Sequence, residues 1–280
     1  MKIIKNFLLK GKHHKQIVTD VFYNKNGIRK PIVIFAHGYK GYKDWGCWNL
    51  VAETFAKRDI VFVKFNFSHN GGTPEQPIDF PDLEAFGNNN YLKELDDLQS
   101  VIDWIHSETN FKDEIDLSQI TLIGHSRGGG IVILKSGEDS RISKVITWAG
   151  VADFESRFPK GDDLIKWKND GVIFIENSRT KQQMPLYYQF YENFIHNKER
   201  LYIETAAKKL KIPHLIIHGT DDQAVSLEDA KKFYKWNPNS DFLPILNGNH
   251  TFGSKHPWKE KILPLQLQGI VDNSIVFVNK

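Results

Sequence analysis

The sequence predicts an α/β fold: a mostly parallel, twisted sheet with helices on both faces and an antiparallel hairpin at its N-terminal end. Two observations predict it. After residue 30, short apolar runs alternate with longer amphipathic stretches, which is typical of buried parallel strands covered by helices. Before residue 30, apolar-rich runs over Ile3–Leu9 and Gln16–Tyr23 flank a turn at Gly11, which indicates a β-hairpin.

The apolar runs that follow the hairpin are the predicted parallel strands. They cover Ile32–Ala36, Ile60–Phe65, Ile120–Ile123, Val145–Trp148, His214–Ile217 and Phe242–Leu246. The predicted helices between them are Asn49–Lys57, Tyr91–His106, Ser126–Ser136 and Ser226–Trp236. The second of these helices carries apolar residues at helical spacing, for example at Leu95, Leu98 and Ile102. A hairpin followed by repeated strand–helix units indicates a mixed sheet.

One stretch is longer than such a fold requires. Roughly sixty residues lie between Gly150 and Leu210, whereas a simple crossover helix needs far fewer. We expect a lid inserted after the sixth strand, at about residues 150–210, within a single domain that covers residues 1–280. The stretch is rich in aromatic side chains, and Tyr187, Tyr188 and Tyr191 are our candidates for substrate binding.

The composition excludes several classes of function. The 37 basic and 34 acidic residues are well mixed and form no basic stripe, so we expect neither nucleic acid nor a membrane surface as a partner. Cys47 is the only cysteine, so an internal disulfide is impossible. Lys5 and Lys10 interrupt the N-terminal apolar run, which favours a strand over a signal peptide. We therefore expect a cytoplasmic protein.

A G-x-S-x-G motif at residues 124–128 is the strongest functional signal. It follows a predicted strand directly and opens a predicted helix, the context in which such a serine is a nucleophile. At this turn the Ser126 hydroxyl would project above the sheet, and the helix N-terminus would add positive potential near a developing oxyanion. The alternative is a tight turn that only needs small residues, and the strand–helix context disfavours it.

Two backbone N–H groups are candidates for an oxyanion hole. One belongs to Arg127, the residue after the predicted nucleophile, and the other to Tyr39, in the loop after the first parallel strand. His37 lies in the same loop and competes with His250 as the general base. Its position in the motif favours a buried histidine that holds the loop.

The remaining candidates follow the last two parallel strands. A serine needs an imidazole to take its proton, and the imidazole needs a carboxylate to fix its tautomer. His250 follows the last strand, and Asp221 and Asp222 follow the strand before it, so both loops open at the sheet edge that carries Ser126. Chemistry alone leaves both aspartates open, because either suits a turn or a helix cap. Asp153 is the next candidate for the acid.

Four loops resemble the signature loops of dienelactone-hydrolase-like α/β hydrolases, a pattern shared with cinnamoyl (feruloyl) esterases and serine aminopeptidase-like proteins. They are Ala36–Gly41, Gly124–Gly129, His218–Val225 and Gly248–Phe252. This resemblance implies the α/β-hydrolase fold. It also implies that the acid is Asp222, with Asp221 as a turn residue, and that Tyr39 supplies an oxyanion N–H.

The sequence departs from that pattern in two places. Dienelactone hydrolases carry a cysteine nucleophile, whereas here Ser126 stands at the turn and Cys47 lies in the first helix region. Dienelactone chemistry is therefore not expected. Asn66 stands where the related loop usually has an acidic residue, and the sequence offers no functional account of that change.

The predicted function is a serine hydrolase that cleaves carboxylic esters through an acyl-enzyme intermediate, acting on small to medium hydrophobic or aryl esters. Ser126, His250 and Asp222 are the predicted triad. A peptidase or amidase with the same triad and a non-catalytic ligand-binding protein of the same fold are the alternatives. The partner is a small-molecule ester. The histidines lack paired ligand spacing, so neither a metal nor an organic cofactor is expected.

Overall fold

The computed structural model describes residues 1–107 and 110–280. Its strands are β1 (Lys2–Lys10), β2 (Gln16–Tyr23), β3 (Lys30–Ala36), β4 (Val61–Phe65), β5 (Ile115–His125), β6 (Ile142–Trp148), β7 (Val172–Glu176), β8 (Gln183–Tyr187), β9 (His214–Gly219) and β10 (Asp241–Ile245). Its α-helices are α1 (Trp48–Lys57), α2 (Leu83–Gly87), α3 (Tyr91–His106), α4 (Arg127–Glu138), α5 (Asp162–Asp170), α6 (Gln189–His196), α7 (Ile203–Lys209), α8 (Leu227–Trp236) and α9 (Leu265–Val278).

The central sheet confirms the predicted fold class. Its eight strands run in the order β1-β2-β4-β3-β5-β6-β9-β10. The hairpin β1–β2 is antiparallel, and β2 also pairs antiparallel with β4. From β4 onwards in this order, every neighbouring pair of strands in the sheet is parallel. The loops after β3, β5, β9 and β10 therefore open at one edge of the sheet, where ligands bind in open α/β sheets.

Side chains alternate between two hydrophobic layers along each central strand. On β3, Ile32 and Ile34 join the layer under α3 and α4, whereas Val33 and Phe35 join the layer under α1 and α9. Since both faces of the sheet are covered, the strands read as continuous apolar runs and not as alternating ones. Helix α9 was not predicted, although its buried residues at Leu267, Ile270 and Val271 have helical spacing.

The segment between β6 and β9 contains α5, the hairpin β7–β8, α6 and α7. The hairpin forms a separate two-stranded antiparallel sheet. Helix α7 packs against α4 and α8, as a crossover helix does, whereas β8 packs against α2 and α6 against α3. The aromatic residues of this segment form much of its contact with the rest of the chain. Phe154, for example, stacks on Tyr91 of α3 with ring centroids 3.8 Å apart.

Within residues 1–107 and 110–280, no helix combines the length and the apolar character that a bilayer crossing needs.

Candidate active site

Ser126 lies at the sharp turn between β5 and α4 in a strained backbone conformation. Its φ of 58° and ψ of −122° fall where side chains other than glycine are rare. The turn is held by three hydrogen bonds: the Ser126 N–H donates to the Trp148 carbonyl, and its own carbonyl accepts from Gly129 and Val151 at 2.9 and 3.0 Å. Strain of this kind costs about 1–3 kcal/mol and persists only where the surroundings impose it.

Close backbone approach explains the glycines of the motif. A Cβ on Gly124 would lie 2.2 Å from the Gly128 carbonyl oxygen, and one on Gly128 would lie 2.3 Å from the carbonyl oxygen of Ala36. The loop after β3 is equally close to the serine, because a Cβ on Gly38 would lie 2.7 Å from the Cβ of Ser126. The turn and this loop are therefore in direct contact.

Asp222 and His250 are joined across the loops that follow β9 and β10. His250 Nδ1 lies 2.7 Å from Asp222 Oδ2, while Asp222 Oδ1 accepts the N–H groups of Ala224 and Val225 at 2.8 and 2.9 Å. Burial alone would raise the pKa of the Asp222 carboxyl, but the hydrogen bonds from His218, His250 and the backbone hold it well below its usual range. Because the charged carboxylate accepts the Nδ1–H of His250, the lone pair on Nε2 is free to accept a proton.

The other acid candidates lie elsewhere. Asp221 is exposed and accepts a hydrogen bond from the hydroxyl of Thr220. Asp153 accepts the N–H of Ser156 in a local turn. Of the three aspartates, Asp222 is the one that the structure brings to His250.

Three further histidines support these loops. His125 Nε2 donates to the His250 carbonyl at 2.9 Å, and His218 Nε2 donates to the Val225 carbonyl at 2.9 Å while lying 3.4 Å from Asp222 Oδ2. His37 donates from Nδ1 to the Gly38 carbonyl and so holds the loop after β3, as its position in the motif predicted. Burial lowers the pKa of His37 to about 4 and that of His125 to about 3, so both rings are neutral at pH 7. Sequence reasoning gave no role to His125.

The backbone N–H groups of Tyr39 and Arg127 make no hydrogen bond to another described residue. Both residues line the space around Ser126. The arrangement leaves two donors available at the place where the sequence predicted an oxyanion hole.

Asn66 holds the loop after β3 through hydrogen bonds of its side chain. Its Oδ1 accepts the Lys43 N–H at 2.7 Å, and its Nδ2 donates to the Pro77 carbonyl at 2.7 Å. A carboxylate could accept the first hydrogen bond but could not donate the second. The asparagine thus joins two loops at a position where the related pattern has an acidic residue.

A buried group of four charges continues this anchor. Lys64 Nζ lies 2.8 Å from Asp20 Oδ2 and 2.6 Å from Asp44 Oδ1, and Lys43 Nζ lies 3.0 Å from Asp20. Burial lowers the pKa of Lys64 to about 8, although the two carboxylates oppose that shift. The partly exposed Lys5 adds a further positive charge, 3.3 Å from Asp20 and 3.5 Å from Asp44, and together these side chains tie the end of the loop to β1, β2 and β4.

A cavity of about 390 Å³ opens beside Ser126 and His250. Its walls are mainly apolar and come largely from the segment between β6 and β9: Val151, Phe154, Phe158, Ile175, Leu186 and Phe190. A smaller cavity of about 130 Å³ shares Ser126 and His250 with it and is also lined by Lys40, Trp45 and Trp48. Two spaces therefore meet at the serine and the histidine.

The three tyrosines proposed for substrate binding are not among the described residues that line the larger cavity. Tyr187 hydrogen-bonds to Glu84, and the rings of Tyr188 and Tyr191 lie 5.6 and 6.3 Å from that of Trp167. Among the described residues, the wall is formed by their sequence neighbours Leu186 and Phe190. Alternation along β8 and the helical turn of α6 separate these neighbours from the tyrosines, which aromatic content alone could not show.

The side chain of Arg127 also lines the larger cavity. Its guanidinium pairs with Glu94 at 3.2 Å and lies over the ring of Tyr39, 4.2 Å from the centroid. Glu94 is buried, and burial raises the pKa of its carboxyl. Arg127 thus has a side-chain partner within the protein.

Comparison with solved structures supports the fold. Est1E from Butyrivibrio proteoclasticus with bound ferulic acid has 18% identity and a TM-score of 0.74, over 98% of each chain. A putative hydrolase from Agrobacterium vitis has 16% identity and a TM-score of 0.72 over 100% of both chains. A dienelactone hydrolase from Anabaena variabilis has 14% identity and a TM-score of 0.63, over 98% of this chain and 95% of that one. At such identities the likeness concerns the fold.

Comparison with sequences identifies the family. No curated protein sequence matches this chain significantly. The profile of the prolyl oligopeptidase family matches residues 48–256, which is more than half of the chain and includes Ser126, Asp222 and His250. The prediction of a hydrolase is confirmed: the chain belongs to the prolyl oligopeptidase family and has the α/β-hydrolase fold.

Proposed function

We propose that this hydrolase cleaves carboxylic esters through an acyl-enzyme, with Ser126 as nucleophile, His250 as general base and Asp222 as the orienting acid. One observation carries the proposal. His250, which is hydrogen-bonded to Asp222 at 2.7 Å, lines the same cavity as the strained Ser126. A strained serine and a carboxylate-oriented imidazole at one cavity are the parts that nucleophilic acyl transfer requires.

The reaction proceeds in two halves. Ser126 Oγ attacks the acyl carbon while His250 Nε2 takes its proton, and Asp222 stabilises the resulting imidazolium. The N–H groups of Tyr39 and Arg127 hold the oxyanion of the tetrahedral intermediate. The imidazolium then protonates the departing alkoxide, so that an alcohol leaves and Ser126 carries the acyl group. Water, deprotonated by His250, attacks the acyl-enzyme and releases the acid.

The cavity favours a small-molecule ester with a hydrophobic or aryl acyl group. Its walls are apolar, with few polar groups, as in most small-ligand sites. Residues 150–210 act as the lid of a single domain spanning residues 1–280. Similarity to an Est1E that binds ferulic acid points in the same direction.

Peptide cleavage is the second candidate, because the family takes its name from a peptidase. The same triad would serve an amide. A peptide with a free amino terminus needs a carboxylate to pair with its ammonium group. Within the described residues, neither Asp nor Glu lines the two cavities beside Ser126, which disfavours a peptide that begins at this site with a free amino terminus.

A fluorophosphonate probe tests the proposal. Wild-type protein should be labelled on Ser126 and should hydrolyse 4-nitrophenyl butyrate faster than the matching anilide or a prolyl anilide. Ser126→Ala should lose labelling and at least about 10³-fold in kcat, while Ser118→Ala, an exposed control, keeps both. Labelling that persists in Ser126→Ala would refute the assignment. Faster cleavage of the prolyl anilide would favour the peptidase.

A further inference from the structure

The larger cavity carries a second guanidinium, that of Arg157, for which the mechanism has no role. Arg157 ends a short 3₁₀ turn, Glu155–Arg157, and lines the same cavity as Ser126. Unlike Arg127, it is partly open to solvent, with 39% of its side chain exposed. It therefore stands at the cavity with access to a bound molecule.

The hydrogen-bonding capacity of Arg157 is mostly unused. Its Nη1 donates to the Ala224 carbonyl at 2.9 Å, and its Nη2 lies 3.6 Å from Asp229 Oδ2, beyond hydrogen-bond distance. A guanidinium has five N–H donors in a planar fork. Within the described part of the chain, the remaining donors have no acceptor.

The nearest carboxylate is shared with other groups. Asp229 lies in the first turn of α8, accepts the Ala152 N–H at 3.1 Å and lies 3.5 Å from Lys232 Nζ. One negative charge thus faces two cations and a helix N-terminus. No Asp or Glu of the described residues lines the cavity itself, so Asp229 is the carboxylate that offsets the charge of Arg157, and it does so only in part.

We propose that Arg157 selects substrates whose acyl group ends in a carboxylate, so that the enzyme prefers half-esters of dicarboxylic acids to neutral esters and rejects acyl groups that end in an ammonium. This rests on the proposed function, since it assigns a substrate class to the same site. The apolar walls hold the acyl chain, and the free fork of Arg157 binds the distal carboxylate in two parallel hydrogen bonds. Arg157 would then be a specificity residue that takes no part in the chemical step.

A set of 4-nitrophenyl esters with matched chain lengths tests this. The acyl groups are hexanoyl, the adipate half-ester and 6-aminohexanoyl, which end in a methyl, a carboxylate and an ammonium. Wild-type kcat/KM should be highest for the half-ester and lowest for the aminohexanoyl ester. Repeating the measurement with succinate and suberate half-esters should reveal one preferred length, set by the separation between Ser126 and Arg157.

Variants separate recognition from a structural role. Arg157→Leu should lower kcat/KM for the half-ester by about tenfold or more, mainly through KM, while the hexanoyl ester changes by less than about threefold. Arg157→Glu should move the preference towards the aminohexanoyl ester. Arg200→Leu, an arginine of similar exposure that pairs with Glu138, should leave the order of substrates unchanged.

The hexanoyl ester reports folding and basal activity in every sample. Equal losses for neutral and charged esters in Arg157→Leu would overturn the inference, because Arg157 would then only hold the Ala224 loop. A wild-type enzyme that cleaves the hexanoyl ester without preferring the half-ester would also overturn it and leave the proposed function intact. Absence of hydrolysis and of fluorophosphonate labelling would refute both.

Discussion

His250 Nδ1 lies 2.7 Å from Asp222 Oδ2, and the same oxygen lies 3.4 Å from Nε2 of the buried His218. The Asp222 carboxylate is therefore surrounded by donors: two imidazoles and two backbone N–H groups. This surrounding explains why the pKa of its carboxyl is lowered despite burial. It keeps the carboxylate charged throughout the pH range in which a histidine base operates.

Asp222→Asn should lower kcat by about 10⁴-fold, because an amide cannot hold the same tautomer of His250 or stabilise its imidazolium. Asp221→Asn is the matched control. Asp221 is adjacent and exposed and makes no contact with His250, so its activity should stay close to wild type. Steady-state hydrolysis of an activated ester measures both. Similar, mild losses in the two variants would place the acid elsewhere, with Asp153 as the next candidate.

Gly38→Ala should lower kcat by about 10²-fold with little change in stability. The added Cβ would lie 2.7 Å from the Cβ of Ser126 and would force the loop that carries Tyr39 away from the serine, and displacements of about 1 Å have costs of this size. Gly137→Ala is the control, since its Cβ would meet its nearest neighbour at 3.5 Å, in ordinary contact. Normal kcat in Gly38→Ala would show that the loop does not position a catalytic group.

The larger cavity should make the enzyme prefer esters with a particular length of acyl chain. We expect kcat/KM to be higher for butyrate and cinnamate esters than for acetate esters, by about 1 kcal/mol or more per buried methylene. Leu186→Trp should fill part of the cavity and lower the cinnamate-to-acetate ratio about tenfold. Ile165→Trp makes the same kind of change at a position with 59% exposure and should leave the ratio unchanged. A flat or acetate-favouring wild-type profile would show that these residues form no acyl pocket.

Ionisation of the Asp97 carboxyl should lower the free energy of unfolding as the pH rises. Its carboxyl is buried under Ser68, whose N–H it accepts at 2.7 Å, and burial raises its pKa to about 7. The folded state therefore holds this proton more tightly than the unfolded chain. The stabilising contribution is complete below pH ~4 and is lost as the pH rises through about 7.

Asp97→Asn keeps the acceptor and removes the titration. Its effect on the free energy of unfolding should be more favourable at pH 8 than at pH 5 by about 2 kcal/mol, as measured by denaturant unfolding. Asp103→Asn is the control: hydrogen bonds from Arg141 and Gln99 lower the pKa of the Asp103 carboxyl despite partial burial, so it is charged at both pH values and should show no such difference. An effect of Asp97→Asn that is the same at both pH values would contradict the raised pKa.

Local patterns in the sequence were sufficient to predict the central sheet and several of the helices that cover it. Apolar runs and helical spacing predicted the central strands and the helices at 91–106 and 226–236 closely, because buried strands and amphipathic helices leave short-range signatures. The strand-to-helix context of residues 124–128 likewise located the strained turn of Ser126. Strand ends also predicted that the loops of Asp222 and His250 share one sheet edge, since parallel strands place their carboxyl ends together.

Only the tertiary structure decided which side chains meet. Chemistry alone left Asp221 and Asp222 open and a resemblance to related loops implied Asp222, and the fold turns Asp222 towards His250. Tyr187, Tyr188 and Tyr191 are suggested as cavity residues by aromatic content, yet among the described residues their neighbours Leu186 and Phe190 line the cavity instead. Asn66 gains its two partners from loops brought together by the fold, and Arg157 reaches the cavity in the same way. Contacts between residues far apart in the chain depend on the packing of whole segments, and no local pattern encodes them.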